Sequence, residues 1–216
     1  MDRSLLINLS YIVATFFFVF GLKKLGHPST ARRGNLFSSC GMLLAIVASL
    51  VSKDIISYKM ILIGMAIGSI VGVLAARLIK MTAMPEMVAL LNGFGGVSSL
   101  LVGWAAYAAT PQLNMFTAVT VALSVFIGAI TLTGSLIAWG KLSETISGKP
   151  VLFVGQKVIN LILILVAIYL GGTFAQNPSL TESTFFMLAG VSLLLGILLV
   201  IPIGGADMPV VIALLN

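Results

Sequence analysis

A chain of 216 residues with 59% hydrophobic and only 8% charged residues is not an ordinary soluble domain, because such domains carry about 25% charge. A mean hydropathy of +1.17 points to a polytopic membrane protein; its net charge of +6 sits in short loops, which argues against a nucleic-acid binder. The single cysteine, Cys40, excludes an intrachain disulfide and a cysteine metal site, and the single histidine, His27, excludes a histidine metal cluster.

Seven apolar runs have the length of a membrane helix, near 4–22, 34–52, 58–79, 86–108, 116–140, 158–175 and 184–203. The first, Leu5 to Gly21, is long enough to be a permanent span and is not read as a cleaved leader. An eighth helix starts at Pro209 and reaches Asn216 after about 12 Å, short of the ~30 Å of hydrocarbon. The fold expected is an all-α polytopic transmembrane helix bundle of seven full spans plus the start of an eighth. Residues 1–216 form one transmembrane domain with no soluble domain, and a partner or further chain completes the last span.

With the N-terminus outside, the inner loops carry Lys23, Lys24, Arg32, Arg33, Arg77, Lys80, Lys141, Lys149 and Lys157. The outer segments carry only Arg3, Lys53 and Lys59, and nine against three satisfies the positive-inside rule. Cys40 lies within the second run and is expected simply to pack. The third run places Gly64, Gly68, Gly72 and Ala76 at every fourth position, the spacing of a tight helix–helix seam in lipid.

The fourth run opens Met84-Pro85-Glu86-Met87-Val88-Ala89-Leu90-Leu91-Asn92. The chain closes on Met208-Pro209-Val210-Val211-Ile212-Ala213-Leu214-Leu215-Asn216, identical at six of nine positions. In each copy a proline in the first helical turn loses no needed N–H. An apolar turn and a half then carries an amide roughly 10 Å into the membrane. Four spans separate the copies, so they run parallel, which argues against an inverted-repeat transporter. Asn92, Gly95 or Gly96, Ser99 and Gly103 share a helical face. Gly93-Phe94-Gly95-Gly96 is not a nucleotide loop, since no strand precedes it.

The fifth run bears a ladder of Thr117, Thr120, Ser124, Gly128, Thr131 and Ser135. Such hydroxyls often bond their own i−4 carbonyl, yet beside a buried amide they also make a polar path. Residues 141–157 read as a short connector on the inner side, and Gln176-Asn177-Pro178-Ser179 as an outer turn. The sixth run, whose polar residue Asn160 lies at the inner boundary, reads as lipid-facing scaffold. Pro202 and Gly204-Gly205 end the seventh run and lead to Asp207, placed to cap the eighth helix. Glu86 sits in the first turn of its own helix, where a carboxylate gains from the helix dipole.

None of the six acidic residues (Asp2, Asp54, Glu86, Glu144, Glu182, Asp207) falls at mid-membrane. Only Asn, Ser and Thr lie there, which pass hydrogen bonds but do not titrate. If protons cross, a partner supplies the titrating group. No Walker, Rossmann or nucleophile motif is present, so the chain alone is expected to catalyse nothing.

Three strings resemble the beta subunit of the proton-translocating nicotinamide nucleotide transhydrogenase. They are Lys80-Met81-Thr82-Ala83-Met84-Pro85-Glu86-Met87-Val88-Ala89, Thr133-Gly134-Ser135-Leu136-Ile137-Ala138-Trp139-Gly140-Lys141, and Gly204-Gly205-Ala206-Asp207-Met208-Pro209-Val210-Val211. The resemblance covers the whole chain, and the third string is its most specific part. It implies the membrane proton-channel part of an oxidoreductase that couples hydride transfer between NAD(H) and NADP(H) to proton translocation. It places the proton path at Asn92, Ser135 and Asn216, with Thr131 and Ser99 on the same polar faces. It implies contact with the NADP-binding domain at Asp207, with Glu86 at the matching end. Gly64, Gly68, Gly72, Gly95 and Gly96 are expected to serve helix packing.

By the same resemblance this chain binds no cofactor or metal; NADP(H) and NAD(H) belong to soluble domains of the full complex. Many bacterial members carry histidine at the position of Asn92, whereas others place it on a small membrane subunit of the alpha side, the type this chain is similar to. The implied partners are alpha subunits, an NADP-binding domain beyond Asn216, a second copy of the complex and the lipid of a bacterial cytoplasmic membrane, with no nucleic acid. Two other readings stand beside this one: a small-solute or ion carrier or channel built on the parallel repeat, and a non-catalytic scaffold.

Overall fold

The computed structural model describes residues 3–51, 58–109, 113–177 and 182–216. Asp2, Lys53, Asp54 and the Pro178-Ser179 part of the outer turn lie outside them. Among the described residues every regular element is helical: α1 (Arg3–Leu25), α2 (Pro28–Leu50), α3 (Tyr58–Leu78), α4 (Met84–Ala109), α5 (Met115–Leu142), α6 (Gln156–Gln176), α7 (Glu182–Val200) and α8 (Met208–Leu215). The first seven are long and apolar enough to cross a membrane, and α8 is shorter. The chain divides into two compact units, residues 1–74 and 75–216.

In the first unit α1 and α2 form a hairpin. Helix α2 begins at Pro28, with His27 extended (φ −128°, ψ 133°). It therefore includes the polar Ser-Thr-Ala-Arg-Arg stretch that hydropathy alone leaves in the loop. Ala14 and Gly21 of α1 face Gly34, Gly41 and Ala48 of α2, all buried. These small residues recur every seventh position, and a Cβ at Gly34 would stand 2.8 Å from the Gly21 carbonyl oxygen. Cys40 is exposed, not packed. Helix α3 has no buried residue, and no described atom lies within 4 Å of where a Cβ at Gly64, Gly68 or Gly72 would stand. Among the described residues of this unit, the stripe has no packing partner. Small-residue spacing permits close approach but does not select a partner.

In the second unit α5 is the hub, touching α4, α6, α7 and α8. Its contact with α4 is a glycine-to-glycine crossing. A Cβ at Gly96 would stand 2.6 Å from the Gly128 carbonyl oxygen, and one at Gly128 would stand 2.7 Å from that of Gly96. Helix backbones approach this closely in lipid only where side chains are missing. Gly95, one residue away, has no described atom within 4 Å of its Cβ position, whereas Gly96 lies directly against Gly128.

Two apolar clusters close the ends of this unit. One gathers Ala118, Val121, Ala122 and Val125 with Phe174, Phe185 and Leu188, and Tyr107 packs against it. Tyr107 stacks on Phe185 at 5.1 Å and meets Phe174 edge-on at 5.3 Å. The other gathers Ala89, Ala138, Val200, Met208, Val211 and Ile212. The hydroxyls Thr131 and Ser135 fall between the two clusters along α5.

Helix α6 is more than lipid-facing scaffold. Pro202 has no N–H, so the Leu198 carbonyl of α7 lacks its usual partner. Gln156 Nε2 donates to it at 3.3 Å and Asn160 Nδ2 at 3.4 Å.

The glycine crossing predicts that Gly96→Ala destabilises the chain by about 1–3 kcal/mol through overpacking, read as a shift in detergent unfolding from bicelles. Gly68→Ala should leave that transition in place; equal losses at both sites would contradict the crossing.

Candidate functional site

Each copy of the repeat is preceded by one 3-10 turn, Met81–Ala83 before α4 and Gly205–Asp207 before α8. Entry geometry is nearly the same. Lys80 (φ −69°, ψ 151°) matches Gly204 (φ −72°, ψ 153°), and Met84 (φ −58°, ψ −41°) matches Met208 (φ −58°, ψ −38°). The structural repeat thus starts four residues before the sequence identity does.

The two copies lie side by side and face one another. Met84, Pro85, Val88, Leu91 and Asn92 from the first, with Pro209, Ile212, Ala213 and Asn216 from the second, line an open groove of about 660 Å³. At its deep end a cavity of about 200 Å³ is bordered by Asn92, Gly95, Gly96, Ser99, Gly128, Thr131, Leu215 and Asn216, among others. Four of the five sequence-predicted polar residues, Asn92, Ser99, Thr131 and Asn216, therefore share one cavity. The fifth, Ser135, is fully buried and bonded to it through Asn92.

Hydrogen bonding fixes the orientation of the Asn92 amide. Nδ2 donates to Ser135 Oγ at 3.0 Å and lies 3.5 Å from the Ile212 carbonyl. A carbonyl only accepts, so the nitrogen must face α8. Thr131 Oγ1 donates to the Leu215 carbonyl at 3.1 Å. Asn92 of α4 and Thr131 of α5 thus each reach a backbone carbonyl of α8.

The ladder on α5 divides at this level. Thr120 back-bonds to the Phe116 carbonyl at 2.9 Å, as the structural alternative anticipates. Thr131 and Ser135, one turn apart, turn toward α8 and α4 instead. Thr133, which sequence reasoning passed over, ties α5 to α7 through the Leu193 carbonyl at 2.7 Å. Among the described residues, no Asp, Glu, His, Lys or Arg lines either the groove or the cavity. Among the described residues no group of His, Cys, Asp or Glu is arranged to hold a metal ion.

The acidic pair sits outside this cavity. Asp207 is exposed at the N-cap of α8 and makes no side-chain cap bond, so the expected capping role is not realised. Glu86 is half-buried in the first turn of α4. Lys141, read from sequence as a loop charge, is instead buried at the end of α5.

The chain matches the family described as NAD(P) transhydrogenase beta subunit over residues 7–216. The chain belongs to that family. It is 38% identical over 215 residues to the NAD(P) transhydrogenase subunit beta of Rhodospirillum rubrum, covering 96% of this chain and 46% of the relative. The same figures hold for that subunit from a named strain of the species. The chain thus spans about half the length of these transhydrogenase relatives. Membership and seven apolar helices make it a multi-pass membrane protein of the transhydrogenase beta family.

A double-mutant cycle on Asn92→Ala and Ser135→Ala, followed by unfolding in bicelles, should return a coupling of about 0.6 kcal/mol, typical of an interhelical hydrogen bond in a membrane. Strict additivity would contradict the contact.

Proposed function

We propose that this chain forms the proton-conducting membrane part of a transhydrogenase, coupling proton passage to hydride transfer between NAD(H) and NADP(H). The observation that carries the reading is the cavity where Asn92, Ser99, Thr131 and Asn216 meet, with Ser135 behind it, between two apolar clusters. At ~30 Å³ for each water in the liquid it has room for several. Amides and hydroxyls both donate and accept, so they can pass a proton along water by exchanging partners.

None of these groups binds a proton at ordinary pH, so the path conducts without storing charge. A group that stores the proton comes from elsewhere in the complex, and a histidine on a small membrane subunit of the alpha side fits that need. The positive-inside bias of the loops supports a reading in which the Met-Pro turns, Asp207 and Glu86 lie on the cytoplasmic side of a bacterial inner membrane. The exposed Asp207 then faces the NADP-binding domain, so a change there reaches the cavity through α8. Both nucleotides are bound by soluble domains, and the complex acts as a homodimer.

Asn92→Leu in the complete complex should slow proton-coupled hydride transfer on the order of tenfold, equivalent to about 1.4 kcal/mol of barrier, while assembly persists. Unchanged pumping in proteoliposomes would sink the assignment. Calorimetry on residues 1–216 alone should show no heat of binding with NADP(H) or NAD(H). A clear signal would place a nucleotide site in this chain.

A further inference from the structure

Lys141 is the penultimate residue of α5 and only 3% exposed. Its ammonium donates to three backbone carbonyls, those of Ile201 at 2.6 Å, Ile203 at 2.7 Å and Lys149 at 3.2 Å. An ammonium has three protons, and each has an acceptor. A buried cation is held here by neutral oxygens and by the negative end of the α7 dipole.

The carbonyls come from two segments. Lys149 belongs to the loop that leaves α5. Ile201 and Ile203 belong to the connector that leaves α7 and leads within four residues to Asp207. Two backbone bonds stitch the same segments together, Gly205 N to the Gly148 carbonyl at 2.8 Å and Val151 N to the Ile201 carbonyl at 3.2 Å. Directly after Asp207, fully buried Met208 starts α8. The position of that start decides where the Ile212 and Leu215 carbonyls meet Asn92 and Thr131.

We propose that Lys141 is a positioning residue: its carbonyl bonds, two to the α7–α8 connector and one to the loop that leaves α5, clamp that connector to the end of α5 and so set the height of α8 against the polar cavity. The functional consequence rests on the proton-path reading above; the clamp itself does not. Lysine suits the task because a tetrahedral ammonium aims three donors at three separate oxygens. The planar fork of arginine does not match that arrangement.

The test uses the complete complex in nanodiscs, with Cys40→Ser as background. Hydrogen exchange of the α8 amides should be about tenfold faster in Lys141→Met and in Lys141→Arg, while the α4–α5 crossing keeps its protection. Adding Gly148→Cys and Gly205→Cys to Lys141→Met, then oxidising, should restore α8 protection, because a Cβ at Gly205 stands 3.5 Å from the Gly148 Cα. Reduction should remove it again. Proton pumping per hydride transferred should fall and recover with the same pattern.

Unchanged α8 exchange in Lys141→Met would overturn the clamp, as would a disulfide that fails to restore protection. If Lys141→Met does not assemble, recovery of assembly by the oxidised cysteine pair supports the clamp, and persistent failure counts against it. Looser α8 with unaltered pumping would leave the clamp standing and defeat the proton-path reading.

Discussion

The arrangement of the second unit depends on two helix backbones touching. Gly96 and Gly128 remove the side chains that would hold α4 and α5 apart, and each carbonyl occupies the space where the other's Cβ would stand. Lipid offers no hydrophobic drive to bring apolar helices together, so shape and hydrogen bonding decide the association. Once the backbones meet, Asn92 lies one turn before Gly96, and Ser135 lies two turns beyond Gly128. Only this close approach lets a short amide span the gap at 3.0 Å. A Cβ at Gly93 would already stand 3.4 Å from that of Ser135, so the contact extends through the polar level.

Backbone accounting explains the lower end. In an apolar medium each N–H and C=O needs a partner, and Pro202 breaks the ladder of α7 just where the chain must turn toward α8. Gln156 and Asn160 supply the missing donors to the Leu198 carbonyl, and Lys141 donates to the carbonyls of Ile201, which also accepts from Val151 N, and Ile203. Proline, which starts α2 and α8 cleanly, here ends a helix, and three polar side chains donate to the carbonyls around that end. The same step gives α8 a fixed origin.

Helix number and extent were legible from hydropathy because lipid-spanning length is a strong constraint. The start of α2 was not: Ser29 to Arg33 read as loop, although Pro28 at the first position marks a helix start. The α1–α2 seam was written as small residues at every seventh position, a signal masked by the more conspicuous four-residue stripe of α3. That stripe shows the limit of such patterns, since Gly64, Gly68 and Gly72 have no described neighbour, whereas Gly96 found one only because Gly128 faces it. The polar residues of the cavity were legible as types on faces. Their convergence was not, because it depends on how α8 leans on α5. Lys141 was misread because a charged residue at a helix end normally marks water, and the orphaned carbonyls that draw it inward become evident only from the chain's path after Pro202.

The two copies of the repeat share entry geometry to within a few degrees and differ in how they are held. Helix α4 is long, crosses α5 on glycine and continues far beyond Asn92. Helix α8 meets α5 and α4 through backbone carbonyls and is tied at its start by the connector. A side chain bonded to a side chain moves with both helices, whereas a side chain bonded to a helix backbone registers any slide of that helix along its axis. Asn92 and Thr131 are bonded to α8 in the second way, so an axial shift of α8 by a fraction of a turn changes both bonds together. If the cavity conducts, neutral amides and hydroxyls give it no switch based on charge. Within this chain, α8 is the element whose displacement the cavity would register.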